Sequence, residues 1–332
     1  MKVEESIDVG GRIKQESALK SFVRENLSTL SIAGVFILIC LFFGFMTDTF
    51  LSFSNSSNII IQIAPNIIVA VMMTFVITTG GIDLSVGSIL ALASALAATL
   101  LSIGAGSFVT LISVIAAGLL VGLVNGYVVA YHGIPPLIVT LASMIYVRGL
   151  ALMITGGYSI AIMGEDWIVS LGQDRILGVP IPVFLSVFIV TLGIVFLRYT
   201  RYGNYVTGIG ANEESVRRSG VSTKKVKLIT YMLSGGSAAL AGLIIAARLG
   251  SGSSNIGNMF ELDIIAAVVL GGTALFGGAG TIIGSVIGVA LIGVIQNGLT
   301  LMHVSPYIIQ IVEGFVLLLA VIINIRVFGK KS

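Results

Sequence analysis

The sequence predicts an all-α integral membrane protein: about ten transmembrane helices, arranged as an inverted repeat of two five-helix halves, with both termini cytoplasmic. Three observations carry this. Of 332 residues, 56% are hydrophobic and only 10% charged, whereas a soluble domain carries roughly 25% charged residues. Between positions 49 and 147 the only formal charge is Asp83. The basic residues gather in three clusters, and short Lys/Arg-rich segments stay on the cytoplasmic side of a membrane.

Residues 1–29 read as a cytoplasmic tail (Lys2, Arg12, Lys14, Lys20, Arg24) before a retained first span, with no small-residue cleavage site. A span needs about 20 apolar residues. The membrane domain, 30–325, offers candidates at 30–46, 59–79, 88–103, 107–131, 137–155, 179–198, 228–248, 262–279, 281–301 and 307–325. Between the sixth and seventh lies a polar loop, 198–227, with seven basic residues and only Glu213 and Glu214 against them. The tail 326–332 holds Arg326, Lys330 and Lys331. Three cytoplasmic clusters demand even span counts between them, and six and four satisfy that. The stretch 79–104 is a candidate re-entrant segment, and 262–301 is Gly-rich enough for one helix to be broken. The loop 156–178 holds Glu165, Asp166 and Asp174 against Arg175, with the single Trp, Trp167; it is expected outside, with a short interfacial helix. Glycine, at 41 residues, favours close helix approach.

The repeat rests on an echo. Asn125-Gly126 precedes His132-x-x-Pro135, and Asn297-Gly298 precedes His303-x-x-Pro306. Five spans apart, the two run in opposite directions, as in an inverted-repeat transporter.

Charges at membrane depth are expensive and must be paired, near an interface, or in a wet cavity. Asp83, flanked by Gly80, Gly81 and Gly87, reads as a gate or cavity element, or as a cap on the backbone N–H groups that open the third span; the two are compatible. Arg148 and Glu313 are expected to be buried and paired. Glu261, Asp263 and Arg248 fit the dipoles of helix ends. Pro65 frees a carbonyl inside the second span and should bend it, as a hinge or a packing feature. Gly80, Gly81, Asp83, Asn125, Arg148, Asn297 and Glu313 are the candidates for a translocation path or gate.

Other chemistry is missing its residues. His132 and His303 have no partners at metal-ligand spacing, and Cys40 is the only cysteine. There is no G-x-x-x-x-G-K-[ST], no G-x-S-x-G and no H-E-x-x-H. No cofactor is expected in this chain, and no nucleic-acid partner, since tails and loop absorb the basic excess. The chain is not expected to be an enzyme.

Within the polar loop, 209–221 reads as one short helix. Asn212 is the N-cap, Glu213 and Glu214 occupy the positive dipole end, Arg217 and Arg218 the negative end, and Gly220 the stop. Two turns do not hold themselves together in water, so it must dock, on another protein or on the rest of this chain.

This loop resembles the coupling segment of ribose-type ABC importer permeases, with their G-x-N-E-x-A-x-x-x-G-I pattern. The stretches TTGGIDLSVGS (78–88), ELDIIAAVVLGGTALFGG (261–278) and NGL (297–299) resemble the same family, and agreement runs from about residue 30 to 325. Ser215-Val216 stand where Ala is common, and Ala279 where a basic residue often follows the two glycines. The resemblance implies an inner-membrane permease subunit importing a monosaccharide or related polyol. It implies a cytoplasmic ATP-binding subunit carrying ATP and Mg, a periplasmic or lipid-anchored sugar-binding protein, and a second permease copy or paralogue. Asn212, Glu213, Glu214, Arg217, Arg218 and Gly220 would couple to the ATPase. The rival is an ion-coupled secondary transporter using Asp83, Arg148 and Glu313, distinguished by whether transport needs a partner ATPase. A channel would need a ring-forming filter motif, which the sequence lacks.

Overall fold

A computed structural model describes residues 6–7, 13–14, 27–162 and 167–328. Lys2, Arg12, Lys20, Arg24, Glu165, Asp166, Lys330 and Lys331 lie outside the described residues. The chain is all-helical apart from pairs of two-residue strands. The helices are α1 (Leu27–Met46), α2 (Phe53–Thr78), α3 (Val86–Ser102), α4 (Ser107–His132), α5 (Pro136–Thr155), α6 (Trp167–Gln173), α7 (Ile181–Tyr199), α8 (Arg201–Arg218), α9 (Thr223–Leu249), α10 (Phe260–Leu270), α11 (Ile282–Leu301) and α12 (Pro306–Phe328).

Local sequence sets the ends. Ser52 and Thr281 cap α2 and α11 through their hydroxyls, accepting from Asn55 N and Gly284 N. Pro136 and Pro306 open α5 and α12, where a missing N–H costs nothing. Glycines at positive φ close α4, α5 and α9.

Among the described residues, seven helices are long and apolar enough to cross a membrane: α2, α4, α5, α7, α9, α11 and α12. Leu30–Met46 and Val86–Ser102 are shorter apolar helices. The eighth expected span, 262–279, is not one continuous helix, and the break expected in the Gly-rich 262–301 falls here. No helix fills 262–279: α10 has 11 residues, about 16 Å at 1.5 Å per residue, and residues 271–281 are turns. The cause is Gly271-Gly272 and Gly277-Gly278, three of which adopt positive φ (89°, 88° and 84° at Gly272, Gly277 and Gly278). Asn324 of α12 supports the break: Leu275 N donates to its Oδ1 at 3.1 Å, and its Nδ2 donates to Thr273 O at 2.8 Å.

The core forms around α9, against which α2, α3 and α4 pack, with α11 against α2. One stripe of α4, Gly118, Gly122 and Gly126, lies against α9 so closely that a Cβ at any of them would meet backbone of Gly235, of Tyr231 and Met232, or of Leu228. Four-residue spacing of small residues is how membrane helices gain contact when lipid offers no hydrophobic drive. By contrast, only 11% of the apolar window of α12 is buried, so its surface is left for lipid or a partner. The short helix expected in 156–178 is α6. Its Gly172 lies on the backbone of Ala247 and Arg248, and Gln173 Nε2 donates to Ala247 O at 3.1 Å.

Candidate functional site

The polar loop is built in two parts, and here too the sequence reading is corrected. A first helix begins at Arg201, ahead of the one the sequence places at 209–221. Thr200 caps it by accepting from Gly203 N at 3.3 Å. The first part is anchored to the membrane domain. Val206 and Ile209 are buried with Val71, Phe75, Leu197, Val226 and Ile282, and Tyr202 Oη shares a 2.8 Å hydrogen bond with Thr230 Oγ1. Gly210 packs directly on Thr78 O, at the end of α2, and on Gly277 and Gly278. Gly278 N itself donates to Thr78 O at 3.0 Å.

At Asn212 the backbone becomes extended (φ −161°, ψ 95°) and a second helix starts, its Ser215 N donating to Asn212 Oδ1 at 2.9 Å. Gly220, at φ 85°, ends it. Cap and stop are where the sequence puts them. Glu214 pairs with Arg217 (2.6 Å) and Arg218 (2.9 Å), and Glu213 with Lys227 (2.5 Å). Hydrogen bonds from Arg218 and Arg217 hold the Glu214 carboxyl below its ordinary range. The pairs on Glu214 are exposed and so contribute little stability. Residues 201–211 thus dock on this chain, and 213–219 stands largely exposed beyond them.

Beneath this element lies the stretch 79–85. Gly80, at φ 78°, touches Gly277 and the Phe276 carbonyl, and Gly81 faces Tyr231 Oη. Asp83 is fully buried. Its Oδ1 accepts from Ser85 N (3.0 Å) and Ser85 Oγ (2.6 Å), and its Oδ2 from Ser234 Oγ of α9 (2.8 Å). Asn125 Nδ2 donates to Ser85 Oγ at 3.0 Å, and Ser143 Oγ of α5 donates to Asn125 Oδ1. Asp83 therefore holds the turn through the N–H of Ser85, the residue before α3, rather than capping the first turn of that helix, and its network ties the turn to α4, α5 and α9.

Of the seven interior candidates, Gly80, Gly81, Asp83 and Asn125 come together; Arg148, Asn297 and Glu313 do not join them. The expected pairing of Arg148 and Glu313 is corrected: among the described residues, ion pairs are confined to the polar loop and the start of α9. Arg148 instead donates to three carbonyls, Ser254 (2.8 Å), Ile256 (2.6 Å) and Gly257 (3.0 Å). They belong to a segment of turns entering α10, whose backbone has no helix to satisfy it, and a guanidinium supplies the fork of donors. Glu313 accepts from Gln296 Nε2 at 2.7 Å and shares a small crevice with Asp263. Asn297 exchanges side-chain amide bonds with Asn55 of α2 (2.9 and 3.0 Å). Glu261 and Asp263 do lie in the first turn of α10 and Arg248 in the last of α9. Sequence reasoning missed Ser85, Ser143, Ser234, Gln296 and Asn324; a lone amide or serine in an apolar run was the available signal.

A multi-pass helical bundle, with a polar network at one end and a capped helix projecting beyond it, defines a membrane transport component. Residues 55–321 match the family described as branched-chain amino acid transport system / permease component. The chain is 41% identical to the ribose import permease protein RbsC of Escherichia coli K12 over 84% of this chain and 88% of that one. It is 41% identical to RbsC of Bacillus subtilis over 88% and 90%, and 35% identical to the xylose transport system permease protein XylH of Escherichia coli K12 over 92% and 93%. No solved structure matches. The chain belongs to this ABC permease family and is a multi-pass protein of the bacterial inner membrane.

Proposed function

We propose that this chain is the transmembrane subunit of an ATP-driven importer of a monosaccharide, ribose or a related sugar, working by alternating access. The family description mentions amino acids, but relatives matching along nearly their whole length are ribose and xylose permeases, and these weigh more for substrate class. The observation that carries the mechanism is the divided polar loop. Residues 201–211 pack against α2 and the 271–281 turns, while the capped 213–219 helix stands largely exposed beyond them. An ATP-binding subunit docked there could move the inner ends of α2, α9 and α11 together. The same reading has ten crossings, α10 and the irregular segment before it forming the eighth, two inverted halves, and termini and polar loop in the cytoplasm. Its partners are the ATP-binding subunit, an extracytoplasmic sugar-binding protein and a second permease.

The test is uptake of radiolabelled ribose and xylose into vesicles holding this chain with the ATP-binding subunit and sugar-binding protein of its own operon. Uptake is expected only with ATP inside and binding protein outside. Uptake by this chain alone, driven by an ion gradient, would favour the secondary-transporter reading instead.

A further inference from the structure

The irregular, turn-rich segment that Arg148 holds has one face to spare. Gly252 lies against Ser94 O and Ala98 of α3, and Gly257 against Gly87 O and Leu90. The chain between them therefore descends along α3. From Ser102 to Gly87 a helix covers about 22 Å, against a hydrocarbon core of about 30 Å, so Asn258 lies deep inside the membrane. Its inner side is satisfied: Ser254 Oγ bonds Thr155 Oγ1 at 2.9 Å, Ser253 N donates to Ser94 Oγ at 3.3 Å, and Arg148 takes the carbonyls. Its outer side is not. Asn255, Asn258 and Met259 are exposed, Asn255 Nδ2 reaching Gly157 O at 3.1 Å and Asn258 making no side-chain hydrogen bond among the described residues.

Irregular backbone at this depth does not face lipid; it is tolerated only against protein or against a water-filled cavity. Two exposed carboxamides favour the second, because an amide buried without a hydrogen bond loses its hydration uncompensated. We propose that the exposed face of residues 255–259 lines the aqueous route of the substrate, with the Asn255 and Asn258 carboxamides exchanging hydrogen bonds with hydroxyl groups of a polyol. A carboxamide both donates and accepts, which suits vicinal hydroxyls of varying orientation. This rests on the sugar-import reading and adds where in this chain the sugar is met.

The experiment uses the assembled transporter in vesicles, in a Cys40→Ala background. Only a thiol wetted by water ionises and reacts with a charged methanethiosulfonate. Asn258→Cys is expected to react, with Ile145→Cys on the exposed face of α5 as the slow control, and labelling is expected to cut sugar uptake several-fold. Asn258→Leu should lower uptake several-fold while binding-protein-stimulated ATP hydrolysis persists, and Asn258→Gln should restore most of it. An inert Asn258→Cys, or normal uptake by Asn258→Leu, overturns the proposal. Failure of the Cys40→Ala parent to show ATP-dependent sugar uptake would instead overturn the function on which it rests.

Discussion

Arg248 donates from Nη1 to the carbonyl of Ile61 at 3.3 Å, and Ile61 is the residue four positions before Pro65, whose ring cannot supply the helical N–H that carbonyl would otherwise receive. The arginine in the last turn of α9 thus replaces a hydrogen bond that the sequence of α2 removes. Unlike a dipole-matching surface charge, it is half-buried and directed at one acceptor.

The relationship predicts non-additivity. Arg248→Met alone should destabilise the bundle by about 1–3 kcal/mol, the cost of a buried carbonyl left without a donor. In a Pro65→Ala background, residue 65 regains its N–H, and the same substitution should cost clearly less. Thermal unfolding midpoints of the four proteins in one detergent give the cycle. Strictly additive shifts would mean the Arg248 contact is incidental.

Asp83 is the second test. Asp83→Asn keeps an acceptor for Ser85 N, and the hydroxyls of Ser85 and Ser234 can rotate to suit the new amide, so stability should change little. Asp83→Leu strands Ser85 N, Ser85 Oγ and Ser234 Oγ in a site with no solvent, at about 1–3 kcal/mol for each group left unmade. The expected outcome is a poorly folded Leu variant, measured by monodispersity and unfolding midpoint. A Leu variant as stable as the parent would remove Asp83 from any structural role at the turn.

Topology offers the third. In a Cys40→Ala background, Leu177→Cys should react with an impermeant thiol reagent added to intact cells, after outer-membrane permeabilisation where one exists, and Ser222→Cys should not. Leu177 is 98% exposed, at the tip of the Arg175–Ile176 and Val179–Pro180 hairpin; Ser222 opens α9 beside Lys224 and Lys225. The reverse pattern would invert the orientation of the bundle.

How far the sequence carried these conclusions differs by element. Long apolar runs with glycine or proline punctuation gave α2, α4, α5, α7, α9, α11 and α12 within a few residues, because length and hydropathy determine a crossing almost alone. The cap at Asn212 and stop at Gly220 were legible because capping is local chemistry. The partners of Arg148 and Glu313 were not. Opposite charges in a sequence suggest a pair, but the turns at 254–257 supplied carbonyl acceptors that no residue type announces. The anchored helix 201–211 was hidden for a related reason: Tyr202, Val206 and Ile209 have helical spacing, yet the charges and glycines around them read as loop until α2 and α11 provide the surface they bury against.

The last prediction concerns how movement at the polar loop reaches the membrane. Gly210 is where α8 touches Thr78 O and the Gly277-Gly278 backbone, and no side chain fits there. Gly210→Val must lift the anchored part off α2, while the 213–219 helix, capped by Asn212 and ended by Gly220, keeps its own form. Gly220→Val does the converse: there is open space around its Cα, but φ of 85° is costly for a β-branched residue, so the exposed helix loses its stop while the anchor stays. If residues 201–219 form one rigid link between an ATP-binding subunit and the bundle, the two variants should fail differently. Gly210→Val should still bind the ATP-binding subunit but hydrolyse ATP without sugar uptake, and Gly220→Val should weaken that binding. Co-purification, ATPase rate and uptake of the reconstituted complex, with monodispersity as the folding control, separate the cases. Normal coupling in Gly210→Val would show that force enters the bundle elsewhere, and unaltered binding in Gly220→Val would show that the projecting helix is not the docking surface.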